Sequence, residues 1–263
     1  MCSSDLDAAP AATLALFHTV FNLLGVALMW PLVGRLTHYL ERRFRTAEED
    51  EARPQFLDAN VAEVPALALD ASQREVRRMG SIAARLLRAA MSGANTHLAW
   101  RNQQTVAALN RAIADFIARL NRSGMAPETA QRLPEILRIA RYYETLAELA
   151  GEVSAAQQAA LAPVPAECRK FAAQAEALLD TVDPANPSRD IATINRAQNE
   201  LEDHYQRLKS SLLAAGAQGE MTVNEMDARL RSAGAIRRAM QQAVKAAIML
   251  GSAVPDNPPL THE

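Results

Sequence analysis

Residues 8–34 contain no formally charged side chain, and that absence constrains the chain more than any other feature. The apolar residues of this run, among them Leu14, Phe17, Phe21, Leu24, Leu28 and Leu32, point in every direction around a helix rather than along one stripe. At about 1.5 Å per residue, roughly 20 such residues cross a bilayer core of about 30 Å, so the run is long enough to span with some tilt. We read residues 8–34 as one transmembrane helix.

The flanks orient it. Arg35, Arg42, Arg43 and Arg45 follow with only Glu41 opposing them, and Trp30 and Tyr39 sit where amphipathic rings favour the headgroup layer. The C-terminal side is therefore expected in the cytoplasm. His18 and Asn22 stand one turn apart inside the run and are costly in lipid unless they face protein or water, so they form a polar pair in the membrane. Such a pair either lines a helix bundle that carries a solute or makes interhelical hydrogen bonds. Pro31 is expected to loosen the last turn. A helix buried in a protein core and a cleaved signal peptide are the alternatives. The run is longer than core helices usually are, and Asp5 and Asp7 stand where a signal peptide carries Lys or Arg. Cys2-Ser3-Ser4-Asp5-Leu6 is also what the end of a short-read sequencing adapter encodes in one frame. Residues 1–7 thus read as an artefactual or disordered start, with a genuine polar N-terminus as the alternative.

Residues 35–69 read as a basic juxtamembrane segment and a linker, acidic at Glu48, Glu49, Asp50 and Glu51 and broken by Pro54 and Pro65, that lies against the next domain. Beyond it about 190 residues remain, one large or two small domains. Aromatic residues make up only 5% of the chain while alanine is abundant, which favours helices over sheets. A formal net charge of −2 supplies no concentrated basic face, so nucleic acid is not expected as a partner. Cys2 and Cys168 give neither a disulfide framework nor a cysteine metal site.

Six helices are predicted between residues 70 and 251. The first starts at Asp70 as N-cap and carries Val76, Met79, Ala83, Leu86 and Ala90 to Gly93. The second runs from Asn95 or Thr96 to Gly124 on Val106, Leu109, Ile113, Phe116, Ile117 and Leu120. The third covers 128–151 with Pro134 as a kink or as its true first turn. Pro163 and Pro165 separate it from a shorter fourth helix over 166–179. A fifth, capped by Ser188, presents Ile191, Ile194, Leu201, Tyr205, Leu208 and Leu212. Thr222 and Glu225 make a capping box for the sixth, which ends at Gly251, and residues 252–263 read as a disordered tail. Short connections favour antiparallel neighbours, hence an all-α fold of two three-helix units.

The sequence His18-Thr19-Val20-Phe21-Asn22-Leu23-Leu24-Gly25, followed by the arginine cluster and then Arg53-Pro54-Gln55-Phe56-Leu57-Asp58, resembles the last membrane helix and exit arm of bacterial sodium/phosphate cotransporter family proteins. Arg74-Glu75-Val76-Arg77-Arg78-Met79-Gly80, and more loosely Tyr205-Gln206-Arg207-Leu208-Lys209 and the late sixth helix, extend the resemblance over most of the chain. It implies a cell inner membrane protein whose cytoplasmic C-terminal domain is similar to PhoU, the helical regulator of phosphate uptake. Phosphate and sodium are then ligands of the full-length protein only. The family's paired membrane repeats with Gln-Ser-Ser-Ser signatures are not present here, and one helix does not build a midplane site between repeats. The chain alone is not expected to transport, and its partners are the membrane, those missing repeats and, where the bundle self-associates, a second copy in a homo-oligomer.

PhoU-like domains also bind metal through Glu/Asp-x-x-x-Asp on helices, since carboxylates four apart share a face and chelate a hard cation. The corresponding stretch here is Glu144-Thr145-Leu146-Ala147-Glu148, so Glu144 and Glu148 are the metal candidates, against a solvated face beside Arg141. The matching stretches Gln103-Gln104-Thr105-Val106-Ala107 and Arg237-Arg238-Ala239-Met240-Gln241 carry no carboxylate. His38, His97 and His204 have no metal-like spacing. No Gly-rich phosphate loop or nucleophile elbow occurs, so neither catalytic residues nor a cofactor are expected and the chain does not read as an enzyme. The expectation is a C-terminal fragment of a sodium-dependent phosphate transporter bearing a regulatory domain. A membrane-anchored helical adaptor in phosphate regulation is the alternative.

Overall fold

A computed structural model describes residues 8–43, 51–58, 61, 64–93, 96–122, 127–160, 163–186 and 190–252. The described residues hold seven helices and no strand: α1 (Ala8–Arg43), α2 (Pro65–Met91), α3 (Thr96–Arg122), α4 (Pro127–Ala159), α5 (Ala166–Thr181), α6 (Ile191–Ala217) and α7 (Val223–Ser252). The expected artefactual start at 1–7, Arg45, residues 46–50, 59, 60, 62 and 63 of the linker, Ser188 and the tail from 253 lie outside them. The chain divides into two units at Asp50 and Glu51.

The described residues of the first unit form a single helix. α1 runs through Pro31 and on to Arg43, so helix continues well beyond the apolar run. Its described side chains, 14–27 with 29, 30, 33 and 34, are all exposed. Among the described residues no helix is long and apolar enough to cross a membrane.

In the second unit, starts and stops are set by local chemistry, in three places differently from expectation. α2 begins at Pro65 with Val64 as N-cap, not at Asp70. Proline suits the first helical position because its missing N–H has no intrahelical partner to lose, and Asp70 lies one turn further in, paired with Arg74 at 2.7 Å. α4 does not stop at Gly151 but continues to Ala159, past Pro134 in its interior. Gly151 instead marks where the α3 side chain Gln103 comes close, 3.2 Å from where a Cβ would stand. The cap of α6 is Asp190, whose carboxylate accepts from the Ala192 and Thr193 amides. Other signals hold: Gly93 takes φ +72° just after α2, and Thr222 Oγ1 accepts from the Glu225 amide at 3.2 Å.

Asp190 makes a pH prediction. Hydrogen bonding from the Thr193 hydroxyl, then from the Thr193 and Ala192 amides, holds its carboxyl below the usual range. A lowered folded pKa means stabilisation that is present above the unfolded value of about 3.9 and is lost as pH falls through the folded one. The protection of the Ala192 and Thr193 amides, taken relative to the intrinsic exchange rate at each pH, should therefore fall at the acid end, and in Asp190→Ala it should be lost at every pH.

The core explains the alanine content. α4 packs against α2, α3 and α7, and its contact with α7 is the most extensive between any two helices. Ala228, Ala235, Ala239, Ala243, Ala246 and Ala247 of α7 are buried, and side chains this short let two helix backbones approach closely. α6 is one-sided instead: its four buried residues, Ile194, Leu201, Leu208 and Leu212, form a narrow seam against α5 and α7. One contiguous apolar cluster, to which all of α2–α7 contribute, runs from Val76 through Tyr143 and Phe171 to Leu250.

Candidate functional site

Glu75 lies on the apolar stripe of α2, between Ser72 and Met79, and its side chain is 0% exposed. A carboxylate cannot be left there without partners, because stripping its hydration costs several kcal/mol per ion (an order-of-magnitude figure). It has four donors. Oε2 accepts from the amides of Gln55 at 2.7 Å and Phe56 at 2.9 Å, and Oε1 accepts from Arg78 Nε at 2.7 Å, with Arg78 Nη2 at 2.6 Å. The same guanidinium reaches the carbonyls of Glu51, from Nη1 at 2.8 Å, and Arg53, from Nη2 at 2.7 Å.

Glu75 and Arg78, one turn apart, thus grip the backbone of residues 51–56 from both polarities. Pro54 fits this strap because it offers no N–H in a place where the amides that count belong to its two successors. Arg85 adds an ion pair to the Glu51 carboxylate at the rim. Leu57 then packs against Phe116 and Leu120 of α3 and Ala68 of α2. Residues 51–57 of the linker do lie against the bundle, as expected, and the two stretches Arg53–Asp58 and Arg74–Gly80 are bound to each other.

No family model, curated protein or solved structure matches this chain.

The other candidate residues fall apart from this clamp. His18 and Asn22 are exposed on α1, with the His18 ring edge-on to Phe17 at 6.4 Å. Glu144 and Glu148 share a face of α4, and the Arg141 guanidinium bridges them, 2.5 Å from Glu144 and 3.6 Å from Glu148. Glu144 also accepts from Asn110 of α3 at 2.7 Å. Arg141 is held protonated more firmly than usual, first by the Glu144 hydrogen bond. Among the described residues no group of three His, Cys, Asp or Glu is placed to hold a metal. Arg237 and Arg238 cross-link helices: Arg237 pairs with Glu202 at 3.0 Å over the Tyr205 ring, and Arg238 with Glu152 at 2.6 Å. His204 Nδ1 is 2.5 Å from Gln174 Oε1, and its ring stands edge-on to Phe171 at 6.0 Å. The side chains of His38 and His97 lie outside the described ones. Burial pushes the Cys168 thiol pKa up, which leaves it a weak nucleophile.

Sequence reasoning quoted Glu75 and Arg78 only as part of a resemblance. A sharper signal was available: Glu75 falls on the same stripe as Val76, Met79 and Ala83, and an acidic residue on a buried stripe requires partners.

Proposed function

We propose that the chain is the C-terminal part of a sodium-dependent phosphate transporter of the bacterial sodium/phosphate cotransporter family, with α1 crossing the cell inner membrane and residues 51–252 forming a cytoplasmic PhoU-like regulatory bundle of two three-helix units. The observation that carries the reading is the clamp of Glu75 and Arg78 on residues 51–56, which joins the two stretches on which the family resemblance rests. The charge-free run over residues 8–34 and the exposed apolar side chains of α1 support it further.

In this reading the bundle biases the transport cycle by moving the strap. A backbone gripped through both its amides and its carbonyls has no slack, so displacement of α2 is delivered to the chain preceding residue 51. The transporting repeats, with their phosphate and sodium sites, belong to the full-length protein.

The test is radiolabelled phosphate uptake by cells expressing the full-length protein with and without residues 70–251. Deletion is expected to change uptake and its response to external phosphate. Unaltered uptake and response would sink the proposal. Reading the source DNA upstream of Asp7 separates the adaptor alternative, which requires a start codon near Leu6 and no preceding membrane segments.

A further inference from the structure

A cavity of about 280 Å³ opens beside the C-terminal ends of α2 and α4 and the flanks of α5, α6 and α7. Its floor is hydrocarbon: Phe171 of α5, Leu208 of α6, and Ala233 and Ile236 of α7, all buried. Ser92, Val164 and Arg169 stand at the exposed rim. The charges of the lining are already answered. Arg229, 5% exposed, turns Nε and Nη2 to Glu225 Oε1, both at 2.7 Å, and Arg169 donates from Nη1 to the Val164 carbonyl. An ion in the cavity would leave its own charge unpaired against Phe171, Leu208 and Ile236.

The strong neutral donors of the lining are answered as well, with one exception. Gln157 Nε2 donates to the Met91 carbonyl at 3.1 Å, and the Ser92 hydroxyl to the Ala89 carbonyl at 3.0 Å. Hydroxyls on helices elsewhere in the bundle give their proton to the carbonyl one turn back: Ser72 to Ala68 at 2.8 Å, Thr181 to Ala177 at 3.0 Å, Ser210 to Gln206 at 3.0 Å. Ser232, only 8% exposed and part of the cavity wall, makes no such bond, nor any other through its hydroxyl, among the described residues. A hydroxyl withheld from both water and protein partners is unfavourable, and a ligand oxygen within reach restores the bond.

We propose that this cavity binds a small neutral molecule, an aromatic or branched alcohol or a phenol, whose oxygen bonds to the Ser232 hydroxyl and whose hydrocarbon body lies against Phe171, Leu208, Ala233 and Ile236. Such an oxygen both donates and accepts, so it meets the Ser232 hydroxyl whichever way that proton points. The volume lies near the lower limit of small-molecule sites, about 300 Å³, which suits one ring or a short branched chain.

Cys168 lines the cavity and serves as the reporter. Its alkylation by iodoacetamide, read by mass spectrometry on the peptide that contains it, is followed in the full chain in non-ionic detergent. The probes are benzyl alcohol, toluene as the same body without the oxygen, and benzoate as the charged counterpart, each at a known free concentration. Benzyl alcohol at about ten times its Kd is expected to slow alkylation about tenfold, because reaction follows the unoccupied fraction. Benzoate at the same concentration is expected to leave the rate unchanged. Ser232→Ala keeps the shape of the wall and removes the hydroxyl. It is expected to weaken benzyl alcohol about fivefold, the equivalent of one neutral hydrogen bond, while the Kd of toluene and the unliganded rate stay the same. No protection by benzyl alcohol up to about 10 mM, weaker than a millimolar site, overturns the proposal. So does equal protection by benzoate, and so does a Ser232→Ala variant that binds benzyl alcohol as tightly as the native chain. If that variant does not fold, the comparison of benzyl alcohol with benzoate on the native chain decides alone.

Discussion

Glu75→Ala is expected to free the strap and to lower the stability of the helical bundle by about 3–5 kcal/mol, the usual effect of removing one partner of a buried charge pair. The size follows from what is left behind. The Gln55 and Phe56 amides lose their acceptor at 2.7 and 2.9 Å, and Arg78, with its side chain only 15% exposed, loses its counter-charge while keeping the carbonyls of Glu51 and Arg53. Each hydrogen bond to a charged group is worth about 1.5–3 kcal/mol, so full additivity would exceed this figure, and the recovered desolvation of Glu75 brings it down. Hydrogen exchange measures the local part: the Gln55 and Phe56 amides should go from protected to freely exchanging, while those in the middle of α7 keep their order of protection. Arg85→Gln is the control. It removes an ion pair whose arginine side chain is more than half exposed, and such pairs contribute about 0–1 kcal/mol. If Gln55 and Phe56 stay protected in Glu75→Ala, the strap is held by Leu57 packing and not by the clamp, and coupling through the buried pair is wrong. Under the proposed transporter reading, the same variant in the full-length protein should uncouple the bundle, giving an uptake phenotype like that of the deletion.

Most of the bundle was legible in the sequence because it is written in periodicities and stop signals that act locally. The stripe of Val106, Leu109, Ile113, Phe116 and Leu120 is buried on α3 as read, and Pro163 and Pro165 separate α4 from α5. Errors arose where one residue type serves two purposes. Pro65 was read as linker although proline opens a helix as readily as it ends one, and Gly151 was read as a stop although its missing side chain makes room for Gln103. The clamp was hidden for a different reason. Glu75 and its backbone partners are about twenty residues apart, and nothing in a single sequence says which amides a buried carboxylate will find. Arg229 was equally invisible, since a cation at i+4 from Glu225 is far more often an exposed pair than a buried one. At Glu144 the local pattern pointed correctly to a face shared with Glu148 and Arg141, while Asn110 on the neighbouring helix entered only through packing.

Gly80→Ala is expected to lower stability by about 2 kcal/mol, although glycine to alanine inside a helix ordinarily raises it. Two effects compete. Alanine gains about 1 kcal/mol of helix propensity over glycine, because glycine gives up more backbone freedom on folding. Against that, a Cβ on Gly80 would stand 2.5 Å from Tyr143 Cζ and 2.7 Å from Pro184 Cγ, far inside carbon–carbon contact. Neither neighbour can step aside: the Tyr143 ring is buried in the centre of α4, and Pro184 is a buried rigid ring in the turn after α5. Overpacking of this kind costs about 1–3 kcal/mol, and clashes with two stiff partners at once place it at the upper end, so it outweighs the propensity gain. For a domain of this size a loss of about 2 kcal/mol lowers Tm by about 4–8 °C, measured by circular dichroism on the full chain in detergent. The clash with Tyr143 is separable from that with Pro184. In a Tyr143→Leu background the added methyl should be less harmful by about 1 kcal/mol, a coupling of the size seen between residues in direct contact. A Tm that rises in Gly80→Ala would mean that α2 can move away from α4 at this point. The close approach that fixes α2, and with it the strap held by Glu75 and Arg78, would then be soft.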